Sequence, residues 1–334
     1  MYIKGGSMNI KITELKDLGL KALKKYGYID DEANIILEIL MYAQLRGNNQ
    51  GIIKLIGNGI PKSPDAGKNI VTKDTKLSAM IDGNKNMGMI AMKLTTEMAI
   101  AKAHEHGFGI VGTYNTYSST GALGYYAAII AKQGLIGFAF AGSPPTVAPH
   151  GSYEALYGTN PLAIGMPADP EPVVLDMATA AMAYYGLIEA KTAGKQIMEG
   201  LTYDKEGNPT TDPAAAMNGA IKSFGGYKGS GLGFMVTAFT GPLVGAAFAG
   251  IGDRGDWGNL VMAIDPELLG DRNEFKKNVT LLAKKVKETK KLPNIKEILL
   301  PSERGNKLTK ERLASGEIDI EDNLYNELKK AASN

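Results

Sequence analysis

The chain has 334 residues, 37 Lys and Arg against 35 Asp and Glu, and a formal net charge of +2. That balance argues against a nucleic-acid binder, which carries a clear basic excess. The absence of cysteine excludes disulfides, iron–sulfur clusters and thiolate nucleophiles, and three histidines (His104, His106, His150) argue against a histidine zinc site, so no metal is expected.

The length suits one large or two smaller domains. Met1–Asn9 has no apolar run and reads as a loose leader rather than a secretion signal. Residues 11–26 and 31–46 read as amphipathic helices, the second with Ile35, Ile36, Ile39, Leu40 and Ala43 at helical spacing and Asp30 or Asp31 as its cap. Asn48–Asn49–Gln50–Gly51 is a turn. A strand at 77–81 precedes a helix over 86–106 that closes at Gly107. Strands follow at 108–112, 136–141, 161–166 and 173–177. A helix over 120–133, capped by Ser118–Thr120 and ended by Gly134, lies between the first two, and another covers 180–193.

Asp204–Asp212 is a polar loop. Residues 229–252 are uncharged and long enough to test as a membrane span. Gly241–Pro242 interrupts them, which reads as a buried, broken helix and a cytoplasmic protein with no membrane partner. A strand at 260–264 and an amphipathic helix at 274–290 precede a charged tail that packs back after Pro293. The pattern is α/β or α+β. Glycine, at 41 residues, is abundant and reads as turns, helix ends and close backbone approaches.

Gly107–Gly112 matches GxGxxG, but here a helix precedes the strand. Dinucleotide binding needs strand, glycine turn, then helix, so the glycines read as a helix C-cap and a strand end. No acid occurs between Glu105 and Glu154 or between Asp212 and Asp253. Such stretches suit either a core or an anionic ligand. Ser118–Gly121, opening a helix, is a candidate phosphate seat or a plain cap; Gly225–Gly231, with Lys228, is a second such turn. Asp176 is a helix cap or a site acid at a strand end, and His150 is structural or a proton shuttle.

Taken together, Leu45–Gly47, Ile81–Asn84, Gly121–Tyr126, Gly158–Pro161 (GTNP), Asp176–Thr179 (DMAT), Gly207–Pro213 (GNPTTDP) and Gly226–Leu232 resemble the non-Rossmann malate/L-lactate dehydrogenase family. Relatives in that family include ureidoglycolate, sulfolactate, diketogulonate and cyclic imino-acid oxidoreductases. The resemblance spans residues 12 to about 325. It implies a nicotinamide-binding domain with a mostly antiparallel sheet at 76–264, and a helical substrate and dimerisation domain from 1–75 with 265–334. It implies a homodimer with the active site near the interface, NAD or NADP as cofactor, and hydride transfer on a small anionic 2-hydroxy or 2-oxo acid. The implied cofactor contacts are Ser119, Thr120, Gly121, Ala122 and Leu123; Ser143; Asp176, Met177 and Ala178; Lys228, Gly229 and Ser230; and Asp256, Trp257 and Gly258.

The family usually has Ser-His-Gly, then an arginine, where this chain has Asn49–Gln50–Gly51 and Lys54, and a histidine where Ser119 stands. Lys54 is therefore expected to hold a substrate carboxylate, and Gln50 and Ser119 to contact the carbonyl or hydroxyl. His150 or Asp176 is expected to move the proton. Two alternatives remain: a C=N reductase of a cyclic or N-substituted imino acid, which needs less acid catalysis because a protonated imine is already activated, and a cofactor-binding protein without turnover.

Overall fold

The computed structural model describes residues 6–48, 50–192, 194–253 and 255–333. The leader segment Met1–Gly5, Asn49 of the Asn-Gln-Gly turn and Ala193 of the 180–193 helix lie outside them. The chain opens with β1 (Ser7–Lys11), α1 (Ile12–Lys25), α2 (Asp30–Leu45) and a 3-10 turn (Ile52–Leu55). Then come β2 (Ile70–Asp74), β3 (Ser78–Asp82), α3 (Gly88–His106), β4 (Phe108–Thr116), α4 (Gly124–Lys132) and β5 (Ile136–Ala141). The middle holds β6 (Val147–Ala148), β7 (Leu162–Met166), β8 (Val173–Met177), α5 (Tyr184–Thr192), β9 (Thr202–Tyr203), α6 (Pro213–Asn218) and β10 (Ala220–Lys222). The last third holds α7 (Tyr227–Thr240), β11 (Trp257–Ile264), α8 (Arg272–Lys287), α9 (Glu303–Ser315), β12 (Glu317–Glu321) and α10 (Asp322–Ser333).

Seven strands form the main sheet in the order β2-β3-β4-β11-β5-β7-β8. Every neighbouring pair is antiparallel except β3 with β4. Side chains alternate across it with the strand period of two. In β11, Leu260 joins a small cluster with Phe140, Leu162, Val236 and Val244, while Val261 and Ala263 join the main core on the other face. That core carries α3 and α4 directly, with α1 and α2 outside them.

Much of the glycine surplus serves this close stacking. A Cβ on Gly165 of β7 would lie 2.2 Å from the Ala127 carbonyl oxygen of α4, and one on Gly109 of β4 would lie 2.3 Å from that of Ala99 in α3. Gly107 ends α3 in the left-handed conformation at φ 82°, as a C-cap. Gly112 lies inside β4 rather than at its end, because that strand runs on to Thr116.

Several expectations shift. The leader is not wholly loose: Ser7–Lys11 pairs antiparallel with β12, tying the two ends of the chain together. Neither Asp30 nor Asp31 caps α2; both lie in its first turn, and the Ile29 N–H donates to the Glu32 carboxylate at 3.2 Å. At its other end, Arg312 of α9 donates to the carbonyl oxygens of Gln44 and Leu45 at 2.7 and 3.0 Å. This supplies partners to carbonyls that a helix end leaves unpaired. The helix expected from residue 120 starts at Gly124, and the one expected from 180 starts at Tyr184. α7 stops at Thr240 before the Gly241–Pro242 break, and no described helix is long and apolar enough to cross a membrane.

Candidate active site

The GTNP segment, just before β7, is a junction. Ser143 Oγ accepts the Thr159 N–H at 3.1 Å. Thr179, at the end of DMAT, donates its N–H and its hydroxyl to the Thr159 carbonyl at 3.0 and 3.2 Å. Asn160, buried and at positive φ, donates its amide to the Gly233 carbonyl at 2.9 Å and to the Thr237 hydroxyl at 2.6 Å in α7. Gly158 has to be glycine here, since a Cβ would lie 2.1 Å from Ser143 Oγ. This junction holds Ser143, the DMAT end of β8 and the KGSG start of α7 in one fixed relation.

A cleft opens beside it. Gly142, Ser143, Pro144 and Pro145 form one wall, residues 247–252 the second, and Asp256, Trp257 and Gly258 the third. Asp256 is anchored by the backbone, accepting the Asn115 N–H and, at 3.2 Å, that of Ala247. Burial raises its carboxyl pKa and those two N–H groups oppose the rise. Gly258 admits α7 closely, because a Cβ there would lie 2.0 Å from the Thr240 carbonyl oxygen.

The Ser118–Gly121 turn does not open a helix. Ser118 and Gly121 both have positive φ, so the chain turns twice before α4 begins. Ser119 Oγ accepts the Gly121 N–H at 3.0 Å, and the buried Thr120 carbonyl accepts the Tyr126 hydroxyl at 2.7 Å. The first amide of α4 is already taken: the Gly124 N–H donates to the Asp176 carboxylate at 2.9 Å. Asp176 thus caps a helix, but one 52 residues away in sequence rather than its own. Its side chain is exposed to solvent, yet the protein packed around the carboxyl desolvates it enough to raise its pKa, against the Gly124 N–H. Tyr42 of α2 lies within its electrostatic reach. Burial pushes that phenol up to about 12, Arg46 over its ring works against this, and Asp176 adds to it.

Lys54 is the least expected of these side chains. It sits in the 3-10 turn, which is pinned by the Ile52 N–H donating to Gln44 Oε1 at 3.0 Å. Lys54 is only 2% exposed, and its ammonium lies 3.6 Å from the centre of the Tyr185 ring in α5. Among the described residues it has no carboxylate within ion-pair distance. Burial pushes its pKa down to about 7. Gln50, in the same turn, is half-buried.

His150 stands elsewhere. Its N–H donates to Ser230 Oγ at 3.0 Å, and its ring borders Gly226 and Tyr227 at the start of α7. Lys228 is exposed and Gly229 buried on that turn. The structure brings Ser143 and Asp256–Gly258 into one cleft, His150 to the KGSG turn, and Asp176 to the 119–124 turn. No hydrogen bond or ion pair among the described residues joins Lys54, His150 and Asp176 to one another. Sequence reasoning missed Tyr185 and Tyr42, which carry no motif of their own. It also missed the 247–252 wall, whose only signal was its glycines.

Comparison with known proteins puts a class to this fold and cleft, that of the dehydrogenases. The chain belongs to the malate/L-lactate dehydrogenase family, whose model matches residues 10–329. It is 36% identical over 339 residues to a malate/(S)-sulfolactate dehydrogenase of Methanothermus fervidus, covering 97% of each chain. The sulfolactate dehydrogenase structure from Methanocaldococcus jannaschii matches with a TM-score of 0.81 at 33% identity, covering 97% of this chain and 96% of that one. A malate dehydrogenase structure from Entamoeba histolytica matches with a TM-score of 0.88 at 26% identity, over 98% of each chain.

Proposed function

We propose that the protein is an NAD(P)-dependent dehydrogenase of small 2-hydroxy acids that carry a second anionic group, as malate and sulfolactate do. One observation carries this reading: a lysine buried to 2% exposure whose described neighbour is an aromatic ring rather than an acid. An unpaired buried cation is costly, and a substrate anion is a partner that relieves the cost.

The cleft residues fit a nicotinamide nucleotide. Phe248, Ile251, Trp257 and the two prolines offer flat apolar walls for a heteroaromatic ring. Gly250 presents bare backbone to open space, since a Cβ there would meet nothing within 4 Å. Ser143 and Asp256–Gly258 would hold the cofactor on this side, and Ser119–Leu123, Asp176–Ala178 and Lys228–Ser230 would approach it from the other. When bound, the nicotinamide supplies the hydride chemistry.

The chain's own groups bind, orient and manage the proton. Lys54 holds a substrate carboxylate as a point charge rather than a bidentate fork. Gln50 and Ser119 contact the reacting oxygen; Gln50 orients it without titrating. Asp176, with its raised carboxyl, holds or releases the proton. His150 steadies the KGSG turn through Ser230. We assign substrate binding to the unit of residues 1–75 with 265–334 and cofactor binding to 76–264. The β1–β12 pairing and the α1–α10 packing support the first unit.

A second copy of the chain is the proposed occupant of the apolar surface of α7, where Leu232, Phe234, Met235 and Phe239 are exposed. Light scattering at micromolar concentration should give the dimer mass, and a monomer would remove this part. The activity test is oxidation of NADH or NADPH with oxaloacetate, sulfopyruvate and pyruvate. Turnover with the dianionic acids should exceed that with pyruvate. A reductase of imino acids is the second reading, favoured by the lack of a titratable side chain at Gln50 and Ser119. Pyruvate reduction accelerated by methylamine, with no turnover of the dianionic acids, would replace the first reading by the second.

A further inference from the structure

Lys54 differs in kind from an ordinary surface anchor for an anion. It lies in a turn whose packing brings it no acidic side chain within ion-pair distance among the described residues. From α1, Gly19 faces Ile52 and Leu55 of that turn, and Tyr26 just beyond gives its hydroxyl to the Leu55 carbonyl at 2.8 Å. From α2 the facing group is Gln44, which is neutral. α10 also packs on the turn, and its buried residues are Leu328 and Ala332. From α5 the facing group is Tyr185, whose phenol burial raises above its ordinary value and so keeps neutral near neutral pH. No described acid offsets the charge.

We infer that Lys54 couples substrate binding to proton uptake: the site accepts an anionic substrate only with Lys54 protonated, so each bound anion brings a proton with it. This rests on the proposed reading of Lys54 as the carboxylate receptor. The physical reason is mutual compensation. Alone, the ammonium loses its hydration and gains only a ring face. A carboxylate beside it restores a counter-charge in the same low-dielectric place, which favours the charged form. Burial thus favours the neutral receptor when it is empty, and an anion beside it favours the charged one. Apparent affinity is the intrinsic affinity scaled by the protonated fraction.

The inference predicts weaker binding as pH rises, by about tenfold per pH unit above roughly pH 7. An arginine at this position would remove the coupling, since a guanidinium stays charged throughout. The test is calorimetric titration of oxamate and of L-malate onto full-length protein saturated with NADH. It is run at pH 6, 7, 8 and 9 in phosphate and in Tris, whose differing protonation heats report the protons taken up. The expected result is uptake near zero at pH 6 and close to one at pH 8 and above. In Lys54→Arg, uptake should vanish and affinity should become flat with pH.

Binding by the wild type with no proton uptake and a flat affinity overturns the inference. If Lys54→Met abolishes that binding, the receptor reading survives alone. Uptake that persists in Lys54→Arg assigns the proton to another group and also overturns the inference. Unchanged binding in Lys54→Met, or no binding of either probe by the wild type, overturns both.

Discussion

The two faces of the main sheet are built to different rules. The face under α3 and α4 is packed backbone against backbone, with glycines at the tightest points. The face under α7 has a smaller cluster, a cleft at its edge, and large apolar residues left exposed on the helix. The first face makes a closely packed frame. The second keeps room and unburied surface, which a ligand and a second subunit can use. The proposed cofactor cleft lies where packing is least complete, held in place by the face where it is most complete.

Two glycine substitutions would sharpen this contrast. Gly165→Val on the frame face must push against the Ala127 carbonyl, which is backbone and cannot rotate away. It should cost about 3 kcal/mol or more in urea unfolding, or abolish folding. Gly231→Ala on α7 meets open space at its Cβ and lies within the helix. It should instead raise stability, by up to about 1 kcal/mol. Equal losses at both positions would break the comparison.

Asp176→Asn should leave the fold intact, since the amide oxygen can still accept the Gly124 N–H. kcat should nevertheless fall roughly 10²–10⁴-fold, the usual worth of acid–base assistance. Wild-type kcat in this variant would remove Asp176 from the chemistry.

Lys54→Met should stabilise the free protein, and the pH dependence fixes the sign. The folded pKa of Lys54 lies at about 7, below its ordinary 10.5. The unfolded chain therefore binds more protons between those values, so stability from this group rises with pH across that window. The burial penalty is full below pH 7 and gone above about pH 10.5. The variant should gain roughly 2–5 kcal/mol at pH 6 in chemical denaturation, with the gain shrinking towards pH 10. A gain independent of pH would contradict the cause assigned to it. A similarly small effect is expected at Asp212, which caps α6 by accepting the Ala214 and Ala215 N–H groups. Asp212→Ala should cost about 1 kcal/mol.

The sequence carried the frame well, because its signals are local. The left-handed Gly107 ended α3 as expected, and the strands at 136–141 and 173–177 fall where the apolar runs put them. The Ser118–Thr120 cluster misled because serines that could cap a helix can equally make a turn, and two positive φ values decided for the turn. β1 was unreadable because its partner, β12, is some 300 residues away and both strands are short. Asp176, read as either a cap or a site acid, does cap a helix, but one that lay far off in sequence. No spacing could announce that Lys54 would be buried against Tyr185, since that contact depends on how α5 is placed. The family motifs marked GTNP and DMAT as important, and the structure gives the reason as the Thr159–Thr179 and Asn160–α7 hydrogen bonds.

The central claim is that the cleft at the ends of β5 and β11 binds a nicotinamide nucleotide beside Trp257, the chain's single tryptophan. The direct measurement is tryptophan fluorescence during separate titrations with NADH and NADPH. Saturable quenching of Trp257, with energy transfer to the reduced nicotinamide for one or both nucleotides, is the predicted result. Unchanged fluorescence with both, together with no binding heat in calorimetry, would contradict the claim.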